Sequence, residues 1–231
     1  MGSIYLIRHG QASFGQNDYD NLSALGVEQS SMLGQHFKRA ELTFDTVYTG
    51  AMKRHQQTAT ACLGAMDAAN NLVTLDDFNE YDHEHVFHVH KPEFKDKAVL
   101  AQYLASQPNP KNAFQKIFAE ALERWISGEH NDDYPESWTQ FKARCKQGLE
   151  TVFANAEASQ NIAVFTSGGP ISSNVQQHLD VPDANVQILN WSMVNCSVTH
   201  FLYNSSGINL NYYNNYSHLQ ASINSPHVTY R

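Results

Sequence analysis

Short apolar runs, each ending in glycine or charge, set the predicted elements of this chain. Residues 4–7, Ile-Tyr-Leu-Ile, are unbroken and rich in β-branched and aromatic types, the pattern of a strand buried on both faces. Ser23 reads as an N-cap, and Leu25, Gln29, Met32, Leu33 and Phe37 fall close to one helical face, which predicts a helix over residues 24–39. Residues 45–49 predict a second short strand, Gly50 a turn, residues 52–66 a second helix and residues 72–75 a third strand. Later, residues 162–166 form the clearest apolar run after the first, residues 171–178 read as a helix, and residues 195–203 and 208–213 as closing strands joined by Asn204-Ser205-Ser206-Gly207.

Between residues 86 and 138 the strand pattern lapses. Residues 96–106 and 113–126 read as helices, set apart by Pro108, Pro110 and the polar run 128–135, and a further helix is expected over residues 137–158. Strands alternating with helices place the chain in the α/β class, as a three-layer α/β/α sandwich with a mostly parallel central sheet. The expectation is one domain over residues 1–231 with a helical cap inserted at about 86–137, and a polar, irregular tail from Ser217.

The chemistry gathers where the predicted strands end. In open α/β sheets ligands bind beyond the carboxyl ends of the strands. Arg8-His9-Gly10 follows the first strand: a guanidinium that clamps two phosphate oxygens, an imidazole that titrates near neutrality, and a glycine that lets the backbone turn. On its own the triplet fits an ordinary strand-to-loop junction better than a site. The polar loop from Gln11 to Asn21 is suited to border a ligand, Gln11 first. Arg54, in the first turn of the second helix, stands on the same rim; a solvated arginine is the equal alternative. Glu80, in the acidic and histidine-rich run after the third strand, is a proton-donor candidate, with a solvated carboxylate the simpler reading. Ser167-Gly168-Gly169-Pro170 leads from a strand into a helix whose free N–H groups can hold an anion.

Composition removes several classes. No apolar run approaches the roughly 18 residues of a membrane span, and no charged-then-apolar leader opens the sequence, so a cytoplasmic protein with no membrane partner is expected. Cys62, Cys145 and Cys196 are odd in number and far apart, against a disulfide framework or thiolate zinc site. A net charge of −8 without a basic stripe gives nucleic acid no electrostatic footing. The sequence specifies no oligomeric state.

Taken in order, Leu6-Ile7-Arg8-His9-Gly10-Gln11, Leu22-Ser23-Ala24-Leu25-Gly26 with Gln29, Val47-Tyr48-Thr49-Gly50-Ala51-Met52-Lys53-Arg54 with Gln57-Thr58-Ala59, and Asn79-Glu80 resemble the histidine phosphatase superfamily, in its phosphoglycerate mutase-like branch. The resemblance implies that His9 is the residue phosphorylated, that Arg8 and Arg54 bind the phosphoryl group, and that Glu80 protonates the leaving oxygen; Ser167 and Gly168, at the start of the predicted helix, are expected to bind phosphate on the ground of that helix start instead. It implies a metal-independent phosphatase acting on a small-molecule phosphomonoester without a cofactor. A phosphoryl group in flight needs positioning and spread positive charge more than covalent help, which two arginines supply.

One position departs from the family. A second histidine is usual just before the glycine pair, where this chain has Ser167. Loss of one charge-assisted contact costs on the order of 2–4 kcal/mol in the transition state. Two alternatives therefore stand beside the phosphatase: a non-catalytic phospholigand-binding or regulatory protein, and a phosphoglycerate-type mutase. His83 is the first candidate to replace the missing cation, with a solvated loop residue as the plain alternative. His83, His85, His88 and His90 also suggest a zinc site by spacing, but short histidine clusters are more often loops, and no metal is expected. Asp18 and Asp20 read as solvated.

Overall fold

The computed structural model describes residues 1–13, 20–220 and 225–230; Asp18 lies outside them. Among these residues six strands make one sheet: β1 (Gly2–Arg8), β2 (Thr46–Thr49), β3 (Leu72–Thr74), β4 (Asn161–Thr166), β5 (Val198–Asn204) and β6 (Gly207–Asn215), in the order β3-β2-β4-β1-β5-β6. The first four run parallel, and β5 and β6 add an antiparallel edge. The α-helices are α1 (Ala24–Arg39), α2 (Lys53–Ala65), α3 (His83–His90), α4 (Lys97–Ala105), α5 (Pro110–Ile126), α6 (Trp138–Ala154), α7 (Gly168–His178) and α8 (Val186–Ser192). The chain is a mixed α/β protein with a mostly parallel central sheet.

Two compact units result, one of residues 1–80, 144–181 and 185–231 and one of residues 81–143 and 182–184. In the first, the sheet buries both faces, as parallel strands must. On one face Ile4, Leu6, Ile162, Val164 and Phe201 pack with Leu149 and Val152 of α6 and Ile171 and Val175 of α7. On the other, Ile7, Val47, Ala163 and Phe165 pack with Leu33 and Phe37 of α1 and Ala59, Cys62 and Leu63 of α2. Each of these large side chains contributes about 1.5–3 kcal/mol by leaving water. Strand β4 lies in the middle and is buried from Ile162 to Thr166, which explains its unbroken apolar run.

The register aligns the strand ends. Arg8 is opposite Thr166, Thr49 is opposite both Phe165 and Thr74, and everything that follows these residues emerges on one rim. Ser23 caps α1 as expected, its Oγ accepting from Gly26 N at 3.0 Å.

In the second unit Phe87, Phe94 and Ile117 form one cluster. Tyr81, Trp125, Trp138 and Phe141 form another, in which Trp125 Nε1 donates to Glu136 O at 2.9 Å. Lys142 ties the short 182–184 segment to it through Asp183 at 2.8 Å. The expected insertion at 86–137 falls within this unit, which begins earlier.

Several boundaries differ from the sequence reading. The run after Glu80 is not all loop: Asp82 accepts from His85 N at 2.9 Å and starts α3, which buries Val86 and Phe87. The glycine pair does not precede its helix but forms the first turn of α7. Helix α6 ends at Ala154, short of the expected 158. Helix α8 stands where no element was expected. The tail is tied down, since Gln29 Nε2 donates to His227 O and Thr229 Oγ1 at 2.7 and 2.8 Å.

Candidate active site

The groups that meet at the rim all belong to the first unit. At the end of β1 the peptide of His9 is held from both sides: its N–H donates to Thr166 O at 2.8 Å, and its carbonyl accepts from Cys196 N and Asn195 Nδ2, each at 3.2 Å. Asn195 is steadied in turn by Thr229 Oγ1 at 2.9 Å. Cys196 reaches His9 by adopting a left-handed backbone, φ 58°, a strained conformation for a residue with a side chain.

The imidazole of His9 is buried, and its Nδ1 lies 2.7 Å from Gly10 O. A carbonyl only accepts, so Nδ1 carries the ring proton and Nε2 keeps its lone pair. Burial first, then the charges of Arg54 and Arg8, hold the ring's pKa well below the ordinary imidazole value, and the His55 ring adds to this. His9 is thus neutral, with an unprotonated Nε2.

Gly10 is needed where it is. A Cβ there would meet Gly26 O at 2.4 Å, so only glycine lets the β1 turn lie against the start of α1. Its N–H donates to Thr58 Oγ1 at 3.0 Å, and Thr58 donates to Arg54 O at 2.7 Å, which fixes the α2 backbone to that of His9. Arg54 is only 5% exposed. Its Nη1 donates to Asp20 Oδ1 at 2.7 Å, while Asp20 Oδ2 accepts from Lys53 N at 2.9 Å. Asp20 is therefore not simply solvated: it neutralises Arg54 and caps the start of α2.

Arg8, on the opposite face of β1 from His9, donates through Nη1 to Met193 O. Its Nε lies 3.6 Å from where a Gly168 Cβ would stand, and that Cβ would sit 2.4 Å from Asn190 Oδ1. Arg8, Asn190 and the first turn of α7 are thus in close contact. Glu80 meets the same turn, its Oε2 accepting from Gly169 N at 3.1 Å. The turn before Glu80 is gathered by Arg144 Nη1, which donates to Asp76 O, Asp77 O and Asn79 O at 3.0 to 3.1 Å.

Ser167 follows β4 directly, and its Oγ is 2.6 Å from Nε2 of His55. His55 sits beside Arg54 in α2, is fully buried, and lies beside His9 with ring centroids 5.8 Å apart and the planes tilted by 35°. Burial, then Arg54, hold this ring neutral too. The sequence reading passed over His55 because it stood next to a better candidate. The available signal was its spacing: five residues after Gly50, on the first turn of a helix leaving the rim.

The structure thus brings Arg8, His9, Arg54, Glu80, Ser167 and Gly168 to one rim. Gln11 is there too, but its Oε1 accepts from Ser23 Oγ at 2.9 Å and its N–H donates to Gln29 Oε1 at 2.9 Å, so it braces α1. His83 opens α3 in the second unit, whereas the histidine bonded to Ser167 is His55. On α3 the positions 83, 85, 88 and 90 spread around the helix rather than along one face, and among the described residues no group of three or more His, Cys, Asp and Glu gathers as a metal set. Among those residues, too, no helix is long and apolar enough to cross a membrane.

The profile of the histidine phosphatase superfamily (branch 1) matches residues 4–113 and 107–216. Solved structures with the same fold include a phosphoglycerate mutase from Bacillus anthracis, at 18% identity and TM-score 0.67 over 94% of each chain. A phosphoserine phosphatase mutant from Entamoeba histolytica, in complex with phosphoserine, matches at 18% identity and TM-score 0.67 over 95% of this chain and 100% of that one. A mycobacterial glucosyl-3-phosphoglycerate phosphatase matches at 17% identity and TM-score 0.58 over 93% and 99%.

Proposed function

This chain belongs to the histidine phosphatase superfamily, and from that premise we propose that it hydrolyses a small phosphomonoester through a phosphohistidine at His9. The observation that carries the reading is the 2.7 Å contact of His9 Nδ1 with Gly10 O, which leaves Nε2 as the unprotonated nitrogen of a ring kept neutral by burial and two arginines.

His9 Nε2 attacks phosphorus as the bond to the ester oxygen breaks. Arg8 and Arg54 hold the phosphoryl oxygens and take up the charge that spreads over them. Glu80 delivers a proton to the departing oxygen and leaves as carboxylate. In the second half a water attacks phosphorus, its proton returns to Glu80, and the bond to Nε2 breaks to free inorganic phosphate and the neutral ring. For this, Arg54 must turn from Asp20 toward the substrate or share itself between them.

The test is a rapid-quench assay with an aryl phosphate. A burst of aryl alcohol with an acid-labile, alkali-stable phosphoenzyme, both absent in His9→Ala, is the expected result. The Asp20 carboxylate already on Arg54 favours a second reading, a non-catalytic phospholigand-binding protein: phosphate binding with neither burst nor phosphoenzyme decides for it. Phosphoryl return from the enzyme to an added phosphoglycerate, in place of release to water, decides for a mutase.

A further inference from the structure

The pairing of Ser167 with His55 has an asymmetry. Ser167 is the N-cap of α7, yet its side chain makes no capping bond. The usual partners of a capping oxygen are the N–H groups of the second and third helical residues. Here the second, Gly169, donates to Glu80, and the third is Pro170, which has no N–H. Among the described residues His55 is the hydroxyl's sole hydrogen-bond partner.

The other nitrogen of His55 decides which way that bond runs. Nδ1 is buried and has no partner. It faces Gly50, where a Cβ would lie only 2.3 Å away, so neither water nor a side chain reaches it from that side. A neutral ring has one proton. Placed on Nδ1 it would be an orphaned buried N–H, which proteins tolerate less well than an unused lone pair. The proton therefore sits on Nε2, and Nε2–H donates to Ser167 Oγ. With its lone pair engaged by that donor, the serine O–H is left to donate elsewhere. Ser167 stands between Thr166, whose carbonyl holds His9, and Gly168, which lies against Arg8.

We infer that His55 is a positioning residue that turns Ser167 into a dedicated hydrogen-bond donor to the phosphoryl oxygens, so that a buried serine–histidine pair on α7 and α2 does the work of a single donor. The pair supplies polarised neutral donation rather than a full charge. This rests on the reading of His9 as the phosphoryl acceptor only for its catalytic consequence; the contact itself is to bound phosphate.

Two readouts separate the inference from that reading. Inorganic phosphate affinity is measured by calorimetry, and the burst rate with an aryl phosphate by rapid quench. Ser167→Ala and His55→Leu should each weaken phosphate by about three- to tenfold, the range of one neutral hydrogen bond. The double variant should be no weaker than either, and His55→Gln, whose amide N–H takes the place of Nε2–H, should recover most of the loss. A structural role for His55 would give additive losses and no rescue by glutamine. If His55→Leu fails to fold, Ser167→Ala and His55→Gln still decide. Wild-type phosphate affinity in Ser167→Ala, equal loss in the glutamine and leucine variants, or an acid-stable phosphoserine at position 167 overturns the inference, even with a normal burst. Non-additive, glutamine-rescued phosphate binding without any burst upholds it while removing the phosphohistidine reading.

Discussion

The two glycines Gly50 and Gly64 make a controlled pair, because the same substitution at each has opposite predicted signs. A Cβ on Gly50 would stand 2.3 Å from Nδ1 and 2.9 Å from Cε1 of His55, and 2.9 Å from the carbonyl of Phe78. None of these can yield cheaply. The His55 ring is fully buried and tied to Ser167, the Phe78 carbonyl accepts from Thr166 Oγ1 at 2.6 Å, and Gly50 itself donates to Phe165 O at 3.0 Å. Overpacking of this kind costs about 1–3 kcal/mol. Gly64, by contrast, is an exposed position near the end of α2 with nothing within 4 Å of its Cβ, so Gly64→Ala should stabilise by about 0.5–1 kcal/mol through helix propensity. Urea unfolding of both variants measures the difference, which should reach about 2 kcal/mol or more by these figures. Phosphate calorimetry should show a loss in Gly50→Ala alone. A Gly50→Ala protein as stable as wild type, with wild-type phosphate affinity, refutes the placement of His55 against Gly50.

Four further outcomes follow from the geometry. Because burial and the arginines lower the His9 pKa, the acid limb of the burst-rate profile should lie well below 6.5, and a midpoint at the ordinary imidazole value contradicts the site. Stability has the same origin: unfolded His9 and His55 take up protons below about 6.5 while the folded rings stay neutral, so the unfolded chain binds more protons and stability falls as pH drops through that range. His218, pushed down to about 4, acts in the same direction. His55→Gln should lose less stability between about pH 7 and 5 than wild type in paired urea titrations. Removing the charge that pairs with Arg54, by Asp20→Asn, should tighten inorganic phosphate about two- to fivefold, the scale of a partly exposed ion pair; unchanged calorimetric affinity speaks against competition at Arg54. Arg144→Ala removes the guanidinium donor from three carbonyls and should slow the burst about tenfold or more, since a small misplacement of Glu80 is costly, at near-normal phosphate affinity.

Much of the fold was legible because periodicity and burial coincide. The four-residue run of β1, the buried β4 and the face of α1 behind Ser23 are each set by short-range patterns that tertiary contacts reinforce. So was the rim, since a parallel sheet places the residues that follow its strands together whatever their identity. Other features depended on long-range geometry. His55 looked like a neighbour of Arg54, and its role exists only because Gly50 leaves room for the ring and Ser167 meets it from a strand more than a hundred residues away. Helix α3 was hidden by its four histidines, weak helix formers that hold a helix here through the Asp82 cap and the burial of Val86 and Phe87. Asn195 and Cys196 read as the start of a strand, because nothing local announces a left-handed backbone at a cysteine.

The Arg144 contacts carry one more consequence. The chain leaves the first unit just after Glu80 and re-enters it at Arg144, and Arg144 grips the carbonyls of Asp76, Asp77 and Asn79. Exit and return are thus stapled to each other on the sheet side. The entropy of closing a loop grows only slowly with its length, so the intervening stretch is free to be shortened, extended or exchanged by evolution while Glu80 stays where it is.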